Sequence, residues 1–203
     1  MTKLLSCRLP FKRIFFNLLI MDLMKWKTLS TEYISNHQYF TARKDVCEIP
    51  DGRIVPAYFV VELPVTVCAM GITEDGKVIL IKQYRYPVDE VLIELPGGFI
   101  DKGEDPTTAI ERELLEETGF EFKQIHHLGK VAANPGVLNS YTHLFLAVGG
   151  IKVAAQSLDQ NEQIEILLLP LEEVRVMMQR NEFAQALHVC CMMYAFQFLD
   201  SFK

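Results

Sequence analysis

Three glutamates in one short segment, Glu113, Glu116 and Glu117, have the spacing of neighbours on one side of a helix. Their separations of three and four residues bring like charges together, which costs an isolated helix about 0.2–0.5 kcal/mol per pair. Hard divalent cations such as magnesium prefer oxygen ligands, so clustered carboxylates suit a cation that also binds phosphate oxygens. The spacing indicates a metal site for phosphate chemistry. The alternative is a solvated acidic helix face, held by an ion pair between Arg112 and Glu116.

The segment that carries these carboxylates has the start and stop signals of a helix. Asp105 can accept hydrogen bonds from free backbone amides, and Pro106 fits the first helical position. Gly119 supplies the stop. The sequence therefore predicts a short helix that carries Ile110 and Leu114 on the side opposite the acids.

The complete pattern around this helix is more specific than a carboxylate cluster. Residues 98–120 follow G-x5-E-x7-R-E-U-x-E-E-x-G-U, where U is apolar, and all nine specified positions over 23 residues are filled. In this pattern the chain resembles the Nudix hydrolases, and a match of this length is highly specific. The resemblance implies an α+β fold, a Nudix α/β/α sandwich with a mixed sheet, a central helix formed by the motif, and an N-terminal unit of antiparallel strands.

The resemblance also implies roles for the residues of the motif. Arg112 would orient a carboxylate, and Glu104 would tie the loop to the helix without contacting the metal. Magnesium, or manganese, would be the cofactor. The metal ligands that the resemblance implies are the backbone carbonyl of Gly97 and the carboxylates of Glu113, Glu116 and Glu117.

Outside the motif, the resemblance is closest to the ADP-ribose pyrophosphatase-like branch and covers about residues 26–198. The strand Val78–Arg85 is similar to the branch's Q-x-R strand, whose arginine binds a substrate phosphate. The resemblance therefore implies that Arg85 binds a substrate phosphate. Residues 94–98 are similar to E-x-P-A-G, with Gly97 in place of the common alanine, and this change leaves the metal-binding carbonyl available.

Two features after the motif bear on the substrate. Pro135 stands fifteen residues after Phe120, about where ADP-ribose-cleaving members carry a substrate-binding proline, although Asn-Pro-Gly is also an ordinary turn signal. The branch usually has an acid shortly before the next strand, but residues 137–142 contain none. This departure weakens the assignment to ADP-ribose and leaves diphosphate hydrolysis intact.

The segment 159–166 resembles the loop and strand in which the branch places its catalytic glutamate. We predict that Glu162 is the catalytic residue, with Asp159 as the alternative base. Glu165 alternates with Ile164 and Ile166, as expected of a solvent-facing position on a strand.

The chain divides into three segments in this interpretation. We expect residues 1–24 to be an extension, which is either disordered or lies before a true start codon at Met21 or Met24. Residues 25–63 form an N-terminal β unit for dimerisation. Residues 64–203 form the Nudix domain. In the resembling branch, strands of the N-terminal unit are commonly exchanged within a homodimer. Tyr39 and Arg53 of this unit would contact the nucleoside or its phosphates, and backbone groups of Phe99 would line the terminal-phosphate pocket.

Composition narrows the class of protein. The chain has 203 residues, half of them apolar, which suits one main domain with a sizeable core. A net charge of −6 argues against a nucleic-acid partner, which would require clustered Lys and Arg. The N-terminal apolar run is too short for a membrane span. Five cysteines without C-x-x-C spacing indicate reduced thiols and a cytoplasmic protein.

We therefore predict metal-dependent hydrolysis of a nucleoside diphosphate linked to a sugar, with ADP-ribose giving AMP and ribose 5-phosphate. The nearest alternative is a pyrophosphatase for GDP-mannose or another nucleotide sugar. A non-catalytic, nucleotide-sensing Nudix domain and an isomerase of isoprenoid diphosphates are alternatives of other classes.

Overall fold

The computed structural model describes residues 23–37 and 40–201. Tyr39 and residues 1–22 of the predicted extension lie outside these ranges. The chain divides into two compact units, Met1–Glu62 and Leu63–Lys203. A search of the described residues finds no helix long and apolar enough to cross a membrane.

The N-terminal unit is a three-stranded antiparallel sheet in the order β1-β2-β3. Its strands are β1 (Lys27–His37), β2 (Phe40–Glu48) and β3 (Ile54–Glu62). The sequence predicts strands at about Gln38–Ile49 and Val55–Leu63, on either side of the turn Pro50-Asp51-Gly52, but it predicts no strand at the position of β1. The side chains of β1 are exposed on both faces. Its sequence therefore lacks the alternation of apolar and polar residues that predicts a half-buried strand. Backbone pairing with β2 defines β1, and this pairing shifts register twice.

The second unit contains a mixed sheet in the order β10-β5-β4-β9-β7, with β6 paired to β5 and β8 paired to β9. β4 and β9 are parallel, and the other pairs are antiparallel. The seven strands are β4 (Thr66–Thr73), β5 (Lys77–Arg85), β6 (Glu90–Glu94), β7 (Phe120–Glu121), β8 (Gln124–Val131), β9 (Thr142–Lys152) and β10 (Ile164–Pro170).

Helices cover both faces of this sheet. They are α1 (Pro106–Thr118), α2 (Leu171–Gln179) and α3 (Ala186–Asp200). Side chains of β4 alternate between the two layers: Val67 and Ala69 pack with Leu114 of α1, whereas Cys68 and Met70 belong to the cluster that contains buried residues of α2 and α3. The predicted α/β/α sandwich is confirmed.

A split in the sheet determines the path of the segment that enters the motif. β5 pairs with β4 only at two positions near its start and pairs with β6 farther along. After β6 the chain crosses to the first half of β4, where the carbonyls of Pro96 and Gly98 accept hydrogen bonds from the N–H groups of Ala69 and Val67. Residues 90–100 therefore fill the gap between β4 and β5. This places them next to β4, the strand against which α1 packs.

Candidate active site

The motif helix begins and ends as its sequence predicts. The Asp105 carboxylate accepts a hydrogen bond of 2.8 Å from the N–H of Thr107, and Pro106 is the first helical residue. Gly119 ends the helix with φ of 74°, and a side chain there would overlap the carbonyl of Ala154. α1 therefore has fixed ends, which sets the direction of its acidic side chains.

Arg112 organises the exposed side of α1. Its guanidinium donates two hydrogen bonds of 3.0 Å to the Glu104 carboxylate and one of 3.0 Å to the carbonyl of Phe99. The third nitrogen, Nη1, donates to Glu113 at 2.8 Å and to Glu116 at 3.1 Å. Hydrogen bonding to Glu104 raises the pKa of Arg112, and the same bonds lower the pKa of Glu104. Arg112 thus joins the loop before α1 to two of the predicted metal ligands.

Glu117 lies on the buried side of the helix, with 4% of its surface exposed. Its Oε2 accepts a hydrogen bond of 2.8 Å from the backbone N–H of Gly97. Because the carbonyls of Pro96 and Gly98 bond to β4, extended backbone geometry directs the N–H and carbonyl of Gly97 to the opposite side, toward α1. By this geometry we expect the Gly97 carbonyl, the predicted ligand, on the same side as the Glu117 carboxylate.

The two glycines before the motif loop allow this close approach. A side chain on Gly98 would overlap the Glu113 carboxylate, and a side chain on Gly97 would overlap the carbonyl of Val67. Gly97 also has φ of 153°, a conformation that L-residues rarely adopt. Glycine in place of the common alanine at position 97 therefore suits both this backbone conformation and the close contact with Val67.

Burial and mutual repulsion disfavour the ionised forms of Glu113 and Glu117. Burial raises the pKa of Glu117 to about 8, and the charges of Glu113 and Glu162 add to this effect. Burial also raises the pKa of Glu113, although Arg112 opposes the shift. Within the described ranges, no three His, Cys, Asp or Glu side chains are already spaced to hold a metal ion. The donor set of carboxylate oxygens and a backbone carbonyl nevertheless fits magnesium, whose charge would offset this repulsion.

Arg85 lies beside this cluster, held by Glu94, the last residue of β6. Arg85 Nη2 donates to Glu94 at 2.6 Å and Nε donates at 3.1 Å, and Glu94 is only 1% exposed. The pairing with Glu94 raises the pKa of Arg85, and the charges of Glu117 and Glu162 raise it further. The predicted phosphate-binding arginine is thus within the electrostatic reach of the predicted metal ligands and the predicted base.

Glu162 lies in the loop before β10. Its carboxylate accepts a hydrogen bond of 3.0 Å from the N–H of Asp159, and its own N–H donates to the Asp159 carbonyl at 3.0 Å. The charge of Glu162 raises the pKa values of Glu113 and Glu117, so this loop lies within electrostatic range of the cluster. Glu165 instead is exposed on β10 and pairs with Lys82 at 3.1 Å. The catalytic role of Glu162 stays a prediction.

The remaining predicted substrate contacts have other surroundings. Arg53 lies in the turn before β3 and pairs with Asp51 at 2.7 Å. Pro135 lies in a turn in which the N–H groups of Val137 and Leu138 bond to the carbonyl of Asn134, as in an ordinary proline turn. Their substrate-binding roles, and that of Tyr39, stay predictions.

The sequence predicts no functional role for Glu94 or for the histidines, but in the structure His188 contacts the residue after Glu94. Glu94 carries a signal in the sequence, since an acid inside the apolar run Val91–Leu95 requires a partner when it is buried. His188 stands alone in an apolar helix pattern and carries no such signal.

Comparison with known proteins places the chain in a family. Residues 62–188 match the NUDIX domain, and residues 26–61 match the nucleoside diphosphate sugar hydrolase N-terminal domain. A methanol dehydrogenase activator of Bacillus methanolicus is 35% identical over 152 residues, which cover 74% of this chain and 82% of the relative. The ADP-ribose pyrophosphatase of Bacillus subtilis (strain 168) is 29% identical over 181 residues, which cover 89% of this chain and 95% of the relative.

A solved structure of an ADP compounds hydrolase superposes with a TM-score of 0.76 at 23% identity, covering 87% of this chain and 95% of that one. This likeness concerns the fold alone. The match to the domain family covers more than half of the chain and includes the whole carboxylate motif. The chain belongs to the Nudix hydrolase family.

Proposed function

We propose that this protein hydrolyses the diphosphate bond of a nucleoside diphosphate linked to a sugar, and that ADP-ribose is its substrate, giving AMP and ribose 5-phosphate. The observation that carries the proposal is that one short segment joins the two parts of the site. Gly97 donates its N–H to Glu117 of α1, and Glu94, three residues earlier, pairs with Arg85. One side of this site gathers negative charge suited to a divalent cation, and the other presents a guanidinium suited to a phosphate. The ADP-ribose pyrophosphatase of Bacillus subtilis, which aligns over most of both chains, supports the choice of substrate.

Magnesium is the proposed cofactor. Glu113, Glu116, Glu117 and the carbonyl of Gly97 would hold it. Bound there, magnesium would neutralise charge on phosphoryl oxygens and lower the pKa of a water molecule. Arg112 has a separate task, because its bonds to Glu113 and Glu116 determine where these carboxylates point before a cation arrives.

Arg85 would fix the diphosphate. Glu94 occupies the Nε and Nη2 edge of the guanidinium, and in the described contacts Nη1 has no protein acceptor. A phosphate oxygen would take that position, so Glu94 would orient the arginine without blocking it. Glu162 would accept the proton of the attacking water, and backbone groups of Phe99 would line the terminal-phosphate pocket.

The N-terminal unit would complete the site in a homodimer. Residues 26–61, which match the nucleoside diphosphate sugar hydrolase N-terminal domain, include Arg53 and Tyr39. We propose that these side chains contact the nucleoside or its phosphates, and that Pro135 contributes from the loop before β9. The four described cysteines are free thiols, which supports action in the cytoplasm.

Substrate profiling tests this proposal. Wild-type protein with magnesium is offered ADP-ribose, ADP-glucose, GDP-mannose, NADH and isopentenyl diphosphate, and the products are separated by chromatography. The proposal predicts that ADP-ribose has the highest kcat/KM and yields AMP. A higher value for GDP-mannose would support the alternative that the missing acid at residues 137–142 leaves open. Binding of nucleotides without turnover would support a sensing domain, and an isomerised diphosphate would support an isomerase.

A further inference from the structure

His188 connects α3 to the segment that forms the active site. It lies in the first turn of α3 and is buried. Its Nδ1 accepts a hydrogen bond of 3.2 Å from the backbone N–H of Leu95, and the same nitrogen lies 4.0 Å from Oε2 of Glu94. A single imidazole nitrogen is therefore close to both residues at the end of β6.

The bond to Leu95 has a structural consequence because Leu95 is 1% exposed. A buried backbone N–H that loses its acceptor is costly, so the chain would shift to find another partner. Leu95 is two residues before Gly97, whose N–H bonds to Glu117. A shift at Leu95 would therefore move the backbone that supplies the proposed carbonyl ligand.

The imidazole ring of His188 also lies next to the buried carboxylate of Glu94. Burial lowers the pKa of His188 to about 4, the charge of Arg85 lowers it further, and Glu94 acts in the opposite direction. The ring is consequently neutral near pH 7, and because Nδ1 accepts a hydrogen bond, the ring proton is on Nε2. Because a neutral histidine does not compensate the charge of Glu94, Arg85 is the group that does so, through hydrogen bonds to both carboxylate oxygens.

We propose that His188 is a positioning residue for diphosphate hydrolysis, acting through Glu94 and the Leu95 backbone to hold the Arg85 guanidinium and the Gly97 carbonyl in place. This inference rests on the proposed function, since it assigns His188 to the same reaction. The alternative is a histidine that only fills the core, whose loss would lower stability without a specific effect on Arg85.

A double-mutant cycle separates these possibilities. His188→Leu fills most of the volume but removes the acceptor, whereas His188→Asn keeps an acceptor oxygen near the position of Nδ1. Each is combined with Arg85→Lys, and kcat/KM is measured with ADP-ribose and magnesium. We expect His188→Leu to lower kcat/KM about ten-fold when Arg85 is present and only about two- to three-fold when Lys replaces it, because the loss that acts through the Gly97 backbone does not depend on Arg85. His188→Asn should recover activity to within about three-fold of wild type.

Equal losses from His188→Leu in both backgrounds would overturn the proposal, as would a lower Tm with unchanged kcat/KM. If the leucine variant does not fold, nitrogen NMR of the wild-type ring decides. The proposal requires a proton on Nε2 and a ring that stays neutral between about pH 5.5 and 8. A proton on Nδ1, or titration near pH 6.5, would refute it. Wild-type protein that cleaves no nucleotide sugar would refute the proposed function instead, and the NMR result would then test the His188 bond alone.

Discussion

Glu117 and Gly97, which are 20 residues apart in the sequence, are joined by a hydrogen bond of 2.8 Å from the backbone N–H to the carboxylate. This bond ties α1 to the segment that crosses from β6 to β4. One of the proposed metal ligands thus fixes the backbone of another. The electrostatic consequence is a buried carboxylate whose only hydrogen-bond donor, among the described contacts, is a neutral amide.

The first prediction concerns this carboxylate and pH. Because the pKa of Glu117 is raised from 4.5 to about 8, the folded protein holds a proton that the unfolded chain releases within this window. Metal-free stability should fall as the pH rises from about 5 to 9, by at most about 5 kcal/mol. Urea unfolding in EDTA measures this slope, and saturating magnesium should restore stability at high pH.

The matched control for this prediction is Glu117→Gln, whose neutral amide does not titrate. Its metal-free stability should change less with pH than that of the wild type, and magnesium should stabilise it less. Identical pH slopes for the two proteins would show that Glu117 is ionised normally in the fold.

The second prediction concerns Arg112. Arg112→Lys keeps the charge but cannot make two parallel bonds to Glu104 while also reaching Glu113 and Phe99. We expect kcat/KM to fall about 10- to 100-fold. Arg175→Lys is the control, because Arg175 is also a forked arginine but pairs with Asp200 between α2 and α3. Equal activity of the two variants would contradict the assigned role.

The third prediction concerns the space between Gly98 and Glu113. In Gly98→Ala, the added methyl group would overlap the Glu113 carboxylate, so the carboxylate must move. We expect kcat/KM to fall by about 100-fold, with magnesium required at higher concentration. In the control Gly136→Ala, the nearest atom to the new Cβ is 3.6 Å away, and activity should be unchanged.

The fourth prediction distinguishes the acids before and on β10. Glu162→Gln should lower kcat at least about 100-fold, as expected when a general base is lost. Glu165→Gln, which removes only an exposed pair with Lys82, should change kcat less than about two-fold. Asp159→Asn tests the alternative base. A larger loss from Asp159→Asn than from Glu162→Gln would transfer the catalytic role to Asp159.

The sequence was most informative where short-range signals determine structure. The ends of α1 follow from Asp105, Pro106 and Gly119, each of which acts on its own turn. The clustering of the α1 carboxylates follows from helical spacing. The burial of Glu117 does not, because it depends on the path of residues 95–98 along β4, which no local pattern encodes.

Long-range contacts account for what the sequence did not predict. β1 is defined by its pairing with β2 and has no buried face. The contact between Leu95 and His188 joins positions 93 residues apart, and a single histidine in an apolar helix gives no indication of such a partner. The motif E-x-P-A-G includes Glu94, but its pairing with Arg85 could not be predicted even from strand register, since Arg85 lies opposite Glu90 and Glu94 lies opposite Ile81.

The most direct test of the central claim is the magnesium-dependent cleavage of ADP-ribose by wild-type protein and by Glu117→Gln, followed by product analysis. The account predicts AMP and ribose 5-phosphate in equal amounts from the wild type, no product in EDTA, and a rate at least about 100-fold lower for the variant. A variant as fast as the wild type, or wild-type cleavage that is unaffected by EDTA, would contradict it.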